Sequence, residues 1–311
     1  MSEVPPSAVD VACGELAFVD LTFAGLEALP AAGEERHSGD FLRSPGGGAI
    51  TAIGAARLGL SSALVSPIGA DAEGDFLRAA LAAEGVRWAG RKVPRTAVTA
   101  VLPADDDRAM ATFDPGEQLT ADELAAVEPR AVVLSLPRLA ITPPGARLYA
   151  SVGDADARRA EGATVSGLDR AHALLVNERE ARLLSGVDDP ADAARRLAEQ
   201  TERVVVTLGA AGALELSDGE LYTAKGIDCR AVDTTGAGDL FAAAYVWADL
   251  AGAGPLERLH WSVLYASLSV GVATAVAGAA TLDKLVEVGK RLGLTPPGRG
   301  ESVARERDEV V

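Results

Sequence analysis

Runs of aliphatic and β-branched residues alternate with helix-forming segments along much of the chain. A short apolar run flanked by turn residues predicts a buried strand, whereas apolar residues spaced three or four apart predict an amphipathic helix. The predicted strands are 62–69, 130–136, 172–176 and 203–209, and the predicted helices are 49–58, 73–86, 177–184 and 191–200. This alternation is typical of an α/β fold in which helices cover a mainly parallel sheet.

Two further strand patterns interrupt the alternation. Residues 212–224 predict a hairpin that turns at Asp218 and Gly219. In the first half of the chain, amphipathic strands joined by turns are predicted at 15–26, 39–47, 96–103 and 108–116. Because amphipathic strands need a partner surface, these four are predicted to form a small sheet that projects from the main body.

The end of the chain is predicted to be helical and then flexible. Helices are predicted over roughly 256–277 and 281–292. Residues 259–282 carry no formal charge, but they are mostly Ala, Ser, Thr, Gly and Val, which indicates a buried helix of a soluble domain rather than a membrane span. Since no repeat or linker divides the chain, we expect one domain over 1–295 and a flexible tail over 296–311.

Composition and charge narrow the classes of function. The chain has 311 residues, is 48% hydrophobic and has a formal net charge of −16, so binding to nucleic acid or to anionic membranes is not expected. Cys13 and Cys229 form no CxxC pair and the histidines are far apart, so no zinc site is predicted. Both cysteines are expected to be buried thiols in a reduced, cytoplasmic setting. The first residues lack the pattern of a signal peptide.

The segment AVDTTGAGDLFAAAYVWADL, residues 231–250, carries the strongest chemical signal. Residues 229–232 are predicted to end a strand, and a helix is predicted from Leu240 onward. Residues 234–238 would then form a strand-to-helix loop at the carboxyl edge of the sheet, where open α/β folds bind their ligands.

The residue types in this loop suit the binding of an anion and the removal of a proton. Gly236 and Gly238 would let backbone amides approach a negatively charged group, which the helix dipole also stabilises. Asp239 in the first helical turn is expected to be ionised and to accept a proton from an attacking hydroxyl. The alternative is a plain helix cap with a Gly-rich turn.

Other nucleotide-binding motifs are missing from the sequence. The chain contains no GxxxxGK[ST] segment. The Gly-rich start of the helix at 49–58 does not match GxGxxG, and no acidic ribose partner follows it. No motif therefore supports a dinucleotide-dependent oxidoreductase.

These motifs together resemble those of the ribokinase-like, or PfkB-type, carbohydrate kinases. DTTGAGD at 233–239, followed by an apolar helix, is similar to the C-terminal signature of the family. Similarities to its Gly-Gly sugar-binding segment, the next helix, its Asn-Glu-x-Glu motif and its nucleotide-binding strand and turn lie at 45–59, 69–86, 177–180 and 204–214. The resemblance extends over nearly the whole chain.

The resemblance implies a three-layer α/β/α ribokinase-like fold with a mainly parallel central sheet and a small β-sheet lid. It also implies phosphoryl transfer from ATP, with Mg²⁺, to a hydroxyl of a sugar or sugar-like small molecule. By position, the catalytic residues would be Asp239 as the base and Gly236, Ala237 and Gly238 as the anion hole. The residues binding the nucleotide would be Asn177, Glu180, Thr207, Gly209, Gly212 and Thr235, with Glu180 near the metal, through water. The residues that bind the substrate would be Asp20, Gly46, Gly47, Gly48 and the residue at position 50, which is Ile50.

Several positions depart from the family pattern. Ile50 stands where the family commonly has an Asn that hydrogen-bonds a sugar hydroxyl, and Pro45 stands at the first Gly of the pair. Asp20 matches the substrate-binding Asp only with a one-residue insertion, and the expected strand-end Asp is replaced by Ser151 or displaced to Asp154. Because buried polar contacts to hydroxyls decide specificity, we hypothesise an unusual or less polar acceptor.

Two classes of function stay open on the sequence. The first is an ATP-dependent small-molecule kinase. The second is a non-catalytic nucleotide- or sugar-binding regulatory protein on the same fold, which the altered sugar segment motivates and the intact Asp239 opposes. For Asn177 and Glu180 the alternative is a helix cap with a capping-box acid. The exposed edges of the lid strands also predict a homodimer through the lid, which light scattering would test.

Overall fold

The computed structural model describes residues 8–104 and 107–298 of the chain. Most of the tail predicted over 296–311 lies outside the described residues, and residues 296–298 have no regular secondary structure. Within the described residues, no helix is both long and apolar enough to cross a membrane. The assignment of 1–295 to one domain stays a prediction.

A large central sheet dominates the fold. The strands are β1 (Val11–Cys13), β2 (Ala17–Ala24), β3 (Asp40–Gly47), β4 (Ser62–Leu64), β5 (Ile68–Gly69), β6 (Arg87–Trp88), β7 (Lys92–Val93), β8 (Ala97–Ala104), β9 (Asp107–Phe113), β10 (Ala131–Ser135), β11 (Arg147–Ser151), β12 (Ala171–Asn177), β13 (Arg203–Thr207), β14 (Gly212–Ser217) and β15 (Glu220–Lys225). The central sheet has the order β15-β14-β13-β12-β11-β10-β1-β4-β6. Its neighbours are parallel except β13 with β14 and β14 with β15, which confirms the predicted mainly parallel sheet.

Helices cover both faces of this sheet and complete a three-layer α/β/α fold. They are α1 (Gly48–Arg57), α2 (Ala72–Ala83), α3 (Ala121–Ala125), α4 (Asp154–Arg159), α5 (Glu178–Ser185), α6 (Pro190–Leu197), α7 (Ala237–Leu250), α8 (Pro255–Ser269), α9 (Ala275–Gly278) and α10 (Leu282–Arg291). On one face, α1, α7 and α8 contribute Ile53, Phe241 and Val263 to a buried core. On the other face, a second core includes Leu184 of α5 and Leu197 of α6.

The four amphipathic strands of the first half form the predicted lid. Their sheet has the order β3-β2-β8-β9, and β2 is antiparallel to β3 and parallel to β8. Because β2 follows β1 and β3 leads into α1, the lid joins the main body next to the carboxyl end of β1. Phe41, Met110 and Phe113 of the lid are exposed, and a homodimer through this sheet stays a prediction.

Turn-forming and strand-breaking residues explain the outcome of two predictions, the hairpin turn at Asp218-Gly219 and the strand at 62–69. The hairpin turn is confirmed, since Asp218 and Gly219 both have positive φ, at 52° and 80°, as a type I′ turn requires. The strand predicted at 62–69 is wrong, because β4 and β5 are separate strands. Pro67 lies between them and has no backbone N–H to donate to a ladder.

Two predictions around α7 and α8 are also wrong. Residues 229–232 are not a strand but belong to an irregular segment between β15 and α7. The helix predicted over 256–277 ends at Ser269, and the carbonyl of Val270 accepts hydrogen bonds from the amides of Val232 and Asp233. The two segments hold each other, and this pairing competes with continuation of the helix.

Candidate active site

Polar residues collect where the parallel strands end at one edge of the central sheet. β10, β11, β12 and β13 end at Ser135, Ser151, Asn177 and Thr207. The irregular segment after β15 brings the first turn of α7 to the same edge, as expected for ligand sites in open α/β folds.

Asp239 lies partly buried in that first turn. Its Oδ1 accepts a hydrogen bond from the Thr51 hydroxyl at 3.3 Å. Burial, and after it the nearby carboxylate of Glu15, raise the pKa of Asp239 to about 8, although the Thr51 hydrogen bond opposes this rise. Asp20 and Glu180 add to the rise through their charges. Asp239 is therefore surrounded by other acids.

The expectation that the helix dipole keeps Asp239 ionised is wrong for the protein alone. A helix dipole stabilises a first-turn carboxylate by about 0.3–1 kcal/mol. One pKa unit corresponds to about 1.4 kcal/mol. Burial and neighbouring acids move the pKa of Asp239 from 3.8 to about 8, which is more than the dipole can offset.

The loop before α7 presents backbone amides. In the described part of the chain, the amides of Gly236 and Gly238 have no hydrogen-bond acceptor, whereas the Ala237 amide bonds the Thr234 carbonyl at 3.3 Å. Gly236 has φ 73°, and a Cβ there would lie 2.7 Å from Ile50 Cδ1. A Cβ on Gly238 would meet nothing within 4 Å, which leaves room for a ligand. Two of the predicted anion-hole amides are thus available.

A cavity of about 700 Å³ opens beside this loop. The predicted cofactor residues Asn177, Thr207, Gly209 and Gly212 line it, together with Ala237 and Gly238. Its volume is that of an ordinary small-molecule site. The cavity therefore joins the predicted nucleotide residues to the predicted anion hole.

Two residues of this region differ from expectation. Thr235 does not line the cavity, and its hydroxyl is buried without a hydrogen-bond partner among the described residues. Cys229 is exposed in the irregular segment and lines the cavity, so the expectation that both cysteines are buried is wrong, although Cys13 is buried. Cys229 is exposed because no strand forms at 229–232.

Asn177 and Glu180 form the capping box that was the alternative to a phosphate-binding role. The Asn177 side chain accepts from the Glu180 amide at 2.8 Å, and Glu180 Oε2 accepts from the Asn177 amide at 2.9 Å. Glu180, also predicted to bind the nucleotide, does not line the cavity, but its charge contributes to the raised pKa of Asp239. Burial raises the pKa of Glu180 to about 7, and its Oε1 has no hydrogen bond within the described residues.

The predicted substrate residues meet where the lid joins α1. Gly46 and Gly47 end β3, and Gly48 begins α1. A Cβ on Gly46 would lie 2.2 Å from Asp20 Oδ2, so the absence of a side chain at 46 makes room for the carboxylate. Burial raises the pKa of Asp20 to about 6, and the charge of Asp233 adds to this effect.

Ile50 does not face this junction. Its side chain is 2% exposed and packs with Leu240 and Ala275 beneath Gly236. Ile50, at the position of the family Asn, therefore packs beneath the loop that is predicted to form the anion hole. The apolar side chain at 50 gives no evidence for an apolar acceptor surface.

Sequence reasoning missed Glu15. This residue follows β1, and its carboxylate accepts a hydrogen bond from the hydroxyl of Ser151 at the end of β11. Asp154, the other candidate for the strand-end acid, instead opens α4 and pairs with Arg158 at 2.8 Å and Arg179 at 3.2 Å. The sequence pattern that could have identified Glu15 as a site residue is an acidic residue close behind a short buried strand.

The carboxylates fit a magnesium ion that is held jointly with phosphates. Among residues 8–104 and 107–298, no group of three or more His, Cys, Asp or Glu could hold a metal ion. Mg²⁺ in phosphate sites usually keeps several waters and takes one or two carboxylates beside the phosphate oxygens. Glu180 fits this arrangement, because its Oε1 has no hydrogen bond within the described residues.

A family model matches the parts of the chain that build this site. The model of the pfkB family carbohydrate kinases matches residues 11–136 and 152–281. The chain belongs to this family of carbohydrate kinases. The lid strands, the capping box and the loop before α7 all lie within the matched residues, so the PfkB match and the site coincide.

Individual PfkB relatives agree with this membership. The ribokinase of Haemophilus influenzae is 26% identical over 267 residues, which cover 78% of this chain and 86% of that enzyme. The 1-phosphofructokinase of Haloferax volcanii is 41% identical over 86 residues, but this match spans only 27% of this chain and 28% of that enzyme. The structure of Arabidopsis thaliana ribokinase complexed with ribose and ATP has a TM-score of 0.77 at 24% identity, covering 91% of this chain and 99% of that one. This likeness shows the ribokinase fold.

Proposed function

We propose that this PfkB-family protein is an ATP-dependent kinase that phosphorylates a hydroxyl of a sugar or sugar-like small molecule. The position of Asp239 carries the proposal. Asp239 directly follows Gly238, which lines the 700 Å³ cavity, and its carboxylate is bonded to Thr51 of α1, the helix that begins at the lid junction. A base in this place can reach an acceptor bound under the lid while the nucleotide occupies the cavity.

The nucleotide side of the proposal rests on the cavity and the loop. ATP would bind along Asn177, Thr207 and Gly212, with its phosphates at the start of α7. Mg²⁺ bound with ATP supplies positive charge that offsets the phosphates, and Glu180 would hold it directly or through water. The amides of Gly236 and Gly238 would stabilise charge on the transferring group.

The acceptor side of the proposal rests on Asp239. Thr51 holds Oδ1, which leaves Oδ2 to take the proton of the acceptor hydroxyl. The oxygen freed of its proton then attacks the γ-phosphorus, and ADP leaves. The lid covers this step and excludes water, which would otherwise compete as the nucleophile.

A non-catalytic binding protein on the same fold is less well supported. Its motive was the altered sugar segment, but Ile50 is buried and takes no part in the acceptor surface. A protein that only binds ligands has no need of Asp239 beside two free amides. Turnover separates the two functions.

The test measures ADP release from Mg-ATP with a panel of sugars, nucleosides, sugar acids and polyols. We expect acceptor-dependent release by the native protein and by Asp192→Asn, whose carboxylate lies on the surface in a pair with Arg195. Asp239→Asn should lower the rate by about 10²- to 10⁴-fold while nucleotide binding persists. Tight nucleotide binding without turnover for any acceptor would contradict the kinase and favour a regulatory protein.

A further inference from the structure

Arg179 places a positive charge on the wall of the cavity. Among the described residues that line the cavity, the charged ones are Arg179, Glu178 and Asp228, so the carboxylates outnumber the cation. The chain as a whole has a formal net charge of −16. A ligand that brings phosphate groups into such a cavity meets repulsion from the carboxylates. Arg179 is therefore the lining side chain that can oppose this repulsion.

Arg179 lies in the first turn of α5, between Asn177 and Glu180. Asn177 caps this helix and lines the cavity together with Arg179. The proposed function places the phosphates of the nucleotide beside Asn177 and Mg²⁺ beside Glu180. Since Arg179 shares the turn with both residues and lines the same cavity, its guanidinium can reach the same phosphates.

An exposed ion pair holds Arg179 in the protein without nucleotide. Its Nη2 lies 3.2 Å from Oδ1 of Asp154, the first residue of α4. The Arg179 side chain is 55% exposed and that of Asp154 is 48% exposed. Exposed ion pairs contribute little, because water screens them and because holding two side chains in one geometry costs entropy. Arg179 can therefore leave Asp154 at small cost.

Asp154 keeps a partner when Arg179 leaves. Its Oδ2 accepts a hydrogen bond of 2.8 Å from Nε of Arg158, four residues later in α4. A phosphate is a stronger partner for Arg179 than this shared carboxylate, because a guanidinium can donate two parallel hydrogen bonds to phosphate oxygens. An exchange of Asp154 for a phosphate is therefore favourable for Arg179.

Resting on the proposed kinase function, we infer that Arg179 binds the phosphates of the nucleotide and gives up its ion pair with Asp154 to do so. Asp154 is a positioning residue that competes with the nucleotide for Arg179. The affinity of the protein for the nucleotide is therefore set in part by an ion pair between α4 and α5, and not only by the loop before α7.

The experiment measures the binding of Mg-ATP, Mg-ADP and adenosine to the full-length protein by calorimetry. Arg179→Gln should weaken the binding of Mg-ATP and Mg-ADP about tenfold, and it should leave the binding of adenosine, which has no phosphate, within about twofold. Arg182→Gln is the matched control, because it removes the same charge from an exposed position of α5 that does not line the cavity. This control should leave all three affinities within about twofold.

Asp154→Asn tests the exchange. It should tighten the binding of Mg-ATP about two- to fivefold, because Arg179 loses the partner that competes with the phosphates. In the Arg179→Gln background the same substitution should have no effect. A general repulsion between Asp154 and the phosphates would instead tighten binding equally in both backgrounds. That result, or an unchanged affinity in Asp154→Asn alone, would overturn the exchange.

The same titrations separate this inference from the proposed function. Native affinity for Mg-ATP in Arg179→Gln, or an equal loss of affinity for adenosine, would overturn the inference and leave the kinase standing. A loss in Arg179→Gln that depends on the phosphates, without turnover of any acceptor by the native protein, would support the inference and contradict the kinase. A native protein that binds neither Mg-ATP nor Mg-ADP would contradict both.

Discussion

The Thr51 hydroxyl donates a hydrogen bond to Asp239 Oδ1 at 3.3 Å, and this contact joins the first turns of α1 and α7. Thr51 is 2% exposed, so bulk water does not take its place. α1 starts at the lid junction and α7 starts at the proposed anion-hole loop. The bond therefore fixes Asp239, the proposed base, relative to both the lid junction and the loop before α7.

Replacing Thr51 with Val should shift the pH dependence of the reaction. The Thr51 hydrogen bond lowers the pKa of Asp239 against the effect of burial, so its loss raises that pKa above about 8. The alkaline-rising limb of kcat/KM should move to higher pH, and the rate at pH 7 should fall about three- to tenfold. Thr51→Ser should behave like the native protein. An unchanged limb in Thr51→Val would contradict this role.

Asp239→Asn should stabilise the protein while it lowers the rate of turnover by about 10²- to 10⁴-fold. The pKa of Asp239 is raised to about 8 in the folded protein from 3.8, so the folded state binds a proton that the unfolded chain releases in this range. The free energy of unfolding of the native protein should then fall as the pH rises from about 4 to about 8. Asparagine at position 239 carries no titrating carboxylate, so the free energy of unfolding of Asp239→Asn should not fall in this way. The Tm of the variant should therefore exceed that of the native protein by an amount that grows over the same pH range. Thermal melts at pH 5 and pH 8 test this, and an equal difference at both would contradict it.

Gly236→Ala should lower stability, whereas Gly238→Ala should lower the affinity for Mg-ATP. Alanine at 236 must adopt φ 73° and would lie 2.5 Å from the Ala275 side chain, so it should lower the free energy of unfolding by about 2–4 kcal/mol. Alanine at 238 meets open space, so stability should be kept while Mg-ATP affinity falls. Denaturant unfolding and calorimetry test the pair. Equal stability of both variants would contradict the packing described beneath Gly236.

Asp249 should be essential for stability rather than for catalysis. It is 5% exposed and accepts hydrogen bonds from Tyr149 at 2.5 Å, Arg203 at 2.7 Å and His172 at 3.2 Å. Burial opposes its charge, but the hydrogen bonds from His172 and Tyr149 and the charge of Arg203 hold the pKa of Asp249 well below its usual range.

Asp249→Asn should therefore lower the free energy of unfolding by about 3–5 kcal/mol at neutral pH. The loss should shrink as the pH falls from about 4 towards the lowered pKa of Asp249 in the folded protein, because the contribution of the carboxylate is complete above the pKa of the unfolded chain and disappears as the pH passes the folded pKa. The surface variant Asp192→Asn should change the free energy of unfolding by less than about 1 kcal/mol. Urea unfolding at pH 7 and at about pH 2.5 measures both. A loss in Asp249→Asn no larger than that in Asp192→Asn would contradict the role of the buried network.

Local patterns predicted much of the fold and part of the site. The periodicity of short apolar runs located β10, β12 and β13, and the Asp218-Gly219 pair located the hairpin turn, because each depends on neighbours in sequence. The loop at Gly236 was predicted for the same reason, since a Gly-rich turn before an apolar run is itself local.

Contacts between distant segments were not predictable in this way. The end of α8 depends on hydrogen bonds from Val232 and Asp233, which no periodicity of residues 256–277 encodes. The pKa of Asp239 depends on Glu15, 224 positions earlier by subtraction of the residue numbers, and only the sheet topology brings them together. The same applies to Ile50, whose burial beneath Gly236 changed the meaning of its substitution.

Phosphorus-31 NMR of Mg-ATP mixed with a sugar or polyol acceptor is the most direct measurement. It separates a phosphate ester on the acceptor from the inorganic phosphate that simple hydrolysis would give. The native protein should produce ADP and an ester signal in equal amounts, and Asp239→Asn should produce neither at a comparable rate. Inorganic phosphate without an ester, or an ester formed equally fast by Asp239→Asn, would contradict phosphoryl transfer by this site.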